Sequence, residues 1–225
     1  MRAYRALVRK DLLAEMRGME VVPAMLAFVL GSLILIRFGL GGETLTGGTK
    51  AATGLLWVAA IFTAMLALVR SFAGEREHGI WDGLLASPVD RAAIWAARAT
   101  ATLIFLVVSQ VAALPLFWLF FLQEGRSPSM VVLAAALLLA DMGIAMLGSL
   151  LAGITSHVQA REVLLPVLFL PFAVPLVTVA VRVTVDTISA QTSGFDTLQG
   201  LGFLALYDTI FGFLGWALFE YVVED

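Results

Sequence analysis

The sequence predicts an all-α, polytopic membrane protein with six transmembrane helices, and three observations carry that prediction. Hydrophobic residues make up 60% of the chain and charged residues 14%, with a mean hydropathy of +0.96. A soluble domain carries about 25% charged residues, so one core cannot hide this apolar excess and lipid must solvate it. The apolar residues also lie in continuous runs of the length a bilayer demands, roughly 20 residues for a hydrocarbon core of about 30 Å. Finally, these runs do not alternate with period two, which selects helices over a barrel.

Taken in order, the first 18 residues form the opening element. Tyr4, Leu7, Val8, Leu12 and Met16 recur at helical spacing, with Arg2, Arg5, Arg9 and Lys10 between them. That pattern suits a helix lying in the headgroup layer and entering the first span near Gly18; an ordinary charged flank is the plainer alternative. Met1 to Glu20 is charged throughout and has no short apolar stretch ending in a small-residue cleavage site, so a membrane anchor is expected here and not a cleaved signal. The expected spans are Val21–Ile36, Ala51–Val69, Ala99–Leu122, Met130–Ile154, Val163–Val181 and Leu201–Val222. Together with their flanks they make a single permease domain over residues 1–225. The first span is the shortest, and Arg37 at its end can snorkel to the interface. The fifth holds Pro166, Pro171 and Pro175, so a bent or broken helix is expected there. Ala136, Ala140, Gly148, Ala152, Gly212 and Gly215 allow helices to approach closely.

Lys and Arg set the orientation. With the N-terminus inside, ten of the 14 basic residues fall in inner segments and four (Arg37, Lys50, Arg126, Arg182) in outer ones. Both termini are therefore expected in the cytoplasm. So is the long connector of residues 70–98 between the second and third spans. This connector divides into a charged turn (Gly74–His78), an apolar stretch with glycine breaks, and a Ser87-Pro88 turn. A helical piece follows, with Asp90 as N-cap and Ile94 and Trp95 on its apolar side. The expectation is a short surface helix held against the membrane face, able to dock in a groove of a soluble partner. A solvated connector is the simpler alternative.

At this connector the sequence resembles a known family. Phe72-Ala73-Gly74-Glu75-Arg76-Glu77-His78-Gly79, followed by Leu84 to Arg91, is similar to the coupling-helix region of type-2 ABC exporter permeases. Asp82-Gly83-Leu84-Leu85, Pro88-Val89-Asp90-Arg91 and Arg161-Glu162-Val163-Leu164-Leu165-Pro166 resemble CcmB more narrowly, as does the closing Leu218 to Glu224. CcmB is the membrane subunit of the cytochrome c maturation system, known as the haem exporter. The resemblance implies a permease of the bacterial inner membrane that pairs with a second copy of itself and with an ATPase subunit, CcmA. It also implies CcmC-like and CcmD-like membrane partners and a periplasmic haem chaperone like CcmE. On this reading Glu75, Arg76, Glu77, His78, Gly79, Asp82, Gly83 and Pro88 couple the ATPase to the membrane. Arg161 and Glu162 then lie in a second cytoplasmic loop.

Several chemistries are excluded or set aside. The chain has no cysteine, which removes disulfides, thiolate metal sites and cysteine nucleophiles. The net charge of -3 gives no reason to expect nucleic acid. No Gly-x-x-x-x-Gly-Lys-Ser/Thr motif occurs, so this chain is not expected to hydrolyse ATP alone or to be an enzyme; that fits a permease with a separate ATPase subunit and equally a protein that never uses ATP. Haem ligation by this chain is not expected, because its two histidines, His78 and His157, both fall in inner loops. Haem enters the reading only through the complex. Asp141 in the fourth span and Asp208 in the sixth are the intramembrane polar residues. A centred Asp costs about 2.5–3.5 kcal/mol on insertion, so each should face the bundle interior, a partner or water. Either it belongs to a functional pathway or it makes an interhelical hydrogen bond, for example to Gln110 or Tyr207. The alternative function is a proton-coupled secondary carrier using Asp141 or Asp208, although the two halves show no convincing repeat. An intramembrane enzyme ranks last, since the spans hold no Ser/His/Asp set and no paired metal ligands.

Overall fold

The computed structural model describes residues 2–18, 21–39, 45–77, 89–121, 129–158, 160–188 and 196–224. Among them are seven α-helices and no strand. Helix α1 covers Arg2–Gly18, α2 Val21–Gly39, α3 Leu45–Glu77 and α4 Arg91–Phe121. They are followed by α5 over Met130–Ile154, α6 over Arg161–Ile188 and α7 over Thr197–Glu224. A single 3-10 turn, Thr155–His157, closes α5. Helices α2 to α7 are the six long and apolar enough to cross a membrane.

Five of the expected spans sit inside these helices, the third, Ala99–Leu122, runs one residue past the Phe121 end of α4 to a residue outside the described ones, and α5 has the bounds read from the sequence. Several others run further. Helix α3 continues past Val69 to Glu77, α4 starts eight residues before Ala99, and α6 extends from Arg161 to Ile188. A helix continues beyond the hydrocarbon wherever nothing breaks it, and the charged flanks here are good helix formers. The piece expected to begin after Asp90 forms the first turns of α4, while residues 78–88 of the connector lie outside the described residues. Asp90 caps it as anticipated, its carboxylate accepting the Ala92 N–H at 3.0 Å. Ser129 opens α5 the same way, its hydroxyl accepting from Val132 N–H.

Helix α6 is unbroken through Pro166, Pro171 and Pro175. A proline weakens hydrogen bonding in the turn before it, and there the Tyr207 hydroxyl of α7 donates to the Phe172 carbonyl at 2.9 Å. Neighbours hold the helix as well: Phe169, Ala173 and Leu176 have no exposed surface.

Helix α5 is the centre of the bundle, packed against α3, α4, α6 and α7. Its small residues allow this. Ala136 and Ala140 are fully buried, and at Gly148 any Cβ would collide with Leu68 of α3. At Gly153 a Cβ would lie 2.6 Å from the Phe219 ring of α7. Close approach of this kind substitutes for the missing hydrophobic drive between helices in lipid. Gly143, Met146 and Gly153 of α5 meet Asp208, Gly212 and Phe219 of α7 in turn, so the two helices run parallel. Helix α7 turns its other face outward, leaving Leu206, Ile210, Phe213, Trp216 and Tyr221 exposed for lipid to cover.

Candidate functional site

Two groups of polar side chains bear on function, and the first is at the end that carries both termini; the opposite end has its own polar contacts, Trp57 Nε1 donating to Thr184 Oγ1 at 3.3 Å and Thr197 Oγ1 to Asp186 at 2.7 Å. At the termini-bearing end helix α1 lies against α4. Its half-buried stripe is Tyr4, Leu7, Val8, Asp11, Leu12 and Glu15, while Met16, expected on the apolar side, is 73% exposed. The Tyr4 hydroxyl is 2.8 Å from Thr100 Oγ1 of α4. Asp11 sits between Lys10 at 3.3 Å and the buried Arg98 of α4 at 3.8 Å. Burial pulls the Lys10 ammonium below its ordinary pKa, while the charge of Asp11 opposes that shift.

Glu15 reaches across to the start of α2. Its two carboxylate oxygens accept the N–H groups of Val21 and Val22 at 3.1 and 2.7 Å. These are donors that a first helical turn leaves unsatisfied, and an anion there also suits the helix dipole. Helix α1 is thus tied to α4 by charge and to α2 by a cap.

The start of α4 is tied on its other side as well. The Trp95 indole N–H donates to the Met146 carbonyl of α5 at 3.3 Å, and its ring covers Gly215 of α7 so closely that a Cβ there would overlap it. Arg91 Nη1 donates to the Glu220 carbonyl at 3.3 Å. One short stretch, Arg91 to Thr100, therefore holds α1, α5 and α7 together. Sequence reasoning passed over Asp11, Glu15 and Arg98. The signal was present in part, because Asp11 and Glu15 fall on the same helical stripe as Tyr4 and Val8.

Of the coupling residues anticipated from the sequence, three lie within the described residues. Glu75, Arg76 and Glu77 are the last helical residues of α3, so their backbone is helix where a turn was anticipated. His78, Gly79, Asp82, Gly83 and Pro88 lie outside the described residues. Arg161 and Glu162 open α6.

The second group lies in the middle of the membrane. Asp141 is the twelfth residue of α5 and Asp208 the twelfth of the parallel α7, so the two carboxyls share a depth. They point to different sides of α5. Asp141 is fully buried and faces α4, where Gln110 Nε2 donates to its Oδ1 at 2.6 Å. Gln110 and Tyr207 were the example partners anticipated for the two aspartates; Gln110 bonds Asp141, and Tyr207 bonds the Phe172 carbonyl instead. Asp208 faces Gly143, whose added Cβ would stand 2.8 Å from Oδ1, and the Leu176 side chain of α6 lies against the same glycine. Asp141 Oδ2 and both oxygens of Asp208 have no hydrogen-bond partner among the described residues. Beside Asp141, α4 and α5 part to form a recess of about 300 Å3 with apolar walls. Among the described residues no group of three His, Asp or Glu is placed to hold a metal ion.

A helical bundle with six membrane-length helices and an outward apolar surface defines a multi-pass membrane protein. A family model described as CcmB protein matches residues 2–210. The chain belongs to the CcmB family. It is 34% identical over 173 residues to heme exporter protein B of Rhodobacter capsulatus, covering 76% of this chain and 77% of that one. It is 32% identical over 203 residues to heme exporter protein B of Paracoccus denitrificans, covering 89% of each. The Pseudomonas aeruginosa heme exporter protein B is 31% identical over 123 residues, 55% of this chain and 54% of that one.

Proposed function

We propose that this chain is the membrane subunit of an ABC-type complex for cytochrome c maturation. It couples ATP hydrolysis by a separate ATPase subunit to haem handling, or to release of the haem-loaded periplasmic chaperone. The observation that carries the reading is family membership over nearly the whole chain, alongside relatives named heme exporter protein B. The fold supports it. The long α3 and α4 reach past their apolar stretches on either side of residues 78–90, and α1 is latched to α4 at the same end. A push on this connector would pass into α4, and through Trp95, Asp11 and Glu15 into α5, α7, α1 and α2.

In this reading both termini and the connector are cytoplasmic, the protein sits in the bacterial inner membrane, and the connector docks on the ATPase. The partners are a CcmA-like ATPase, a second copy of this chain, CcmC-like and CcmD-like membrane proteins, and a CcmE-like chaperone. Replacing Glu75 and Glu77 by Ala and Gly79 by Val tests it. The expected protein inserts at its normal level but binds the ATPase weakly and supports little cytochrome c maturation. Charged hydrogen bonds lost from such an interface are worth about 1.5–3 kcal/mol each. Unchanged ATPase association and unchanged maturation in the triple variant would reduce the segment to a connector.

A further inference from the structure

A second, smaller recess lies between α4 and α5 near the termini-bearing end. Its volume is about 120 Å3, and Trp95, Ala99, Thr100 and Leu103 of α4 face Met142 and Met146 of α5 across it. Eight residues separate Trp95 from Leu103, about 12 Å of helix rise, so the recess stays within one leaflet of a hydrocarbon core of about 30 Å. Thr100 stands one residue into the apolar run that starts at Ala99. Its Oγ1 lies 2.8 Å from the Tyr4 hydroxyl, which sets the N-terminal end of α1 at the rim. That end of α1 carries Arg5 and Arg9, four residues apart on one helix face and both exposed. Neither makes an ion pair among the described residues. The acidic side chains of α1 are committed elsewhere, Asp11 to Lys10 and Arg98, Glu15 to the start of α2.

We infer that this recess and the N-terminal end of α1 together bind an anionic phospholipid of the adjacent leaflet, its acyl chain between α4 and α5 and its phosphate at Arg5 and Arg9. The parts stand in the order a lipid presents them. Leu103 and Met142 offer apolar wall, the Thr100 and Tyr4 hydroxyls stand at the edge of the apolar run, and the guanidinium groups lie on the helix beyond. A space of about 120 Å3 accepts a length of acyl chain but not a helix, whose diameter with side chains is about 10–12 Å. Charge then selects the class of lipid. Arginine matches a phosphate with two parallel donors, and a headgroup that also carries an ammonium brings a repelling charge to the same place. Basic residues beside a span gain from an anionic surface in just this way. Because α1 also meets Arg98 and caps α2, a lipid held here braces that latch from outside. The inference rests on the membrane fold alone and stands apart from the ATPase reading.

The test places the full chain in phosphatidylcholine nanodiscs with a trace of a photoreactive lipid. The probe is phosphatidylglycerol or phosphatidylcholine, each with a diazirine on the same acyl chain. After illumination, peptide mass spectrometry locates the labelled residues. The phosphatidylglycerol probe should label α4 around Leu103 and α5 around Met142 and Met146 about tenfold more than the phosphatidylcholine probe. Added salt should narrow that difference. Arg5→Gln with Arg9→Gln should bring the two probes level without changing Tm, since both side chains are exposed. Ala96→Phe, on the half-buried wall of the recess, should remove labelling there by either probe. The comparison of probes on the unaltered chain decides even where a variant fails to insert. Equal labelling by both probes means ordinary surrounding lipid only and overturns the inference. So does a preference that survives the double arginine variant, or recess labelling that survives Ala96→Phe. Labelling that disappears when the whole complex is assembled would show a protein covering the recess, and overturns it as well.

Discussion

The polar groups at the termini-bearing end and those at mid-membrane are built on opposite terms. At the end, Glu15 uses both oxygens on the first N–H groups of α2, and Asp11 lies between two cations. At mid-membrane, Asp141 uses one oxygen and Asp208 neither. At the end the carboxylates meet cations and N–H groups of the chain itself, and at mid-membrane carboxylate oxygens are left without a hydrogen bond among the described residues. Self-contained stability therefore belongs to the end, and the midplane carboxyls contribute little to it. Stability measurements on the isolated chain in detergent put that contrast at risk.

The largest loss is expected from Asp11→Ala. It removes a charge beside the buried Arg98, and breaking a buried pair by deleting one partner costs about 3 kcal/mol. A large fall in Tm should follow, and an unchanged Tm would remove the latch from the account. Next comes Gly215→Val, which forces the Trp95 indole off α7 at an overpacking cost of about 2 kcal/mol. Tryptophan fluorescence should shift together with the loss of stability. Glu15→Ala follows at about 1 kcal/mol, the usual loss for an N-cap. It should also open a new protease cut between α1 and α2, and Glu15→Gln should restore part of the protection. The smallest effect belongs to Asp208→Asn, within about 0.5 kcal/mol of the parent or more stable, because no hydrogen bond is lost. A drop of several kcal/mol there would erase the distinction between the two levels.

How much of this was legible beforehand follows the same division. The number and placement of spans could be read directly, because lipid demands a continuous apolar run and the sequence supplies each one. The bounds of α5 coincide with the reading because Ser129 caps one end and the 3-10 turn at Thr155 closes the other. The overhangs of α3, α4 and α6 could not be read from hydropathy, since helix outside the hydrocarbon leaves no apolar signature. Gln110 was a legible partner for Asp141, being a polar residue on a neighbouring span. Its intended counterpart Tyr207 was taken by a backbone carbonyl near Pro175, which depends on how α6 and α7 meet in three dimensions. The latch was harder still. Asp11 and Arg98 are far apart in sequence, and only the docking of α1 on α4 makes them neighbours.

The central position of α5 bears on how the chain is made. The helix leaves the ribosome before α6 and α7, yet two of its faces are completed by them. Gly143 and Gly153 wait for Asp208 and Phe219. Until α7 arrives, the glycine-rich seam of α5 stays open to lipid, or to whatever insertion machinery shields it. A chain that stops short of Phe219 would thus present the membrane's quality-control proteases with an open seam and an unfinished bundle.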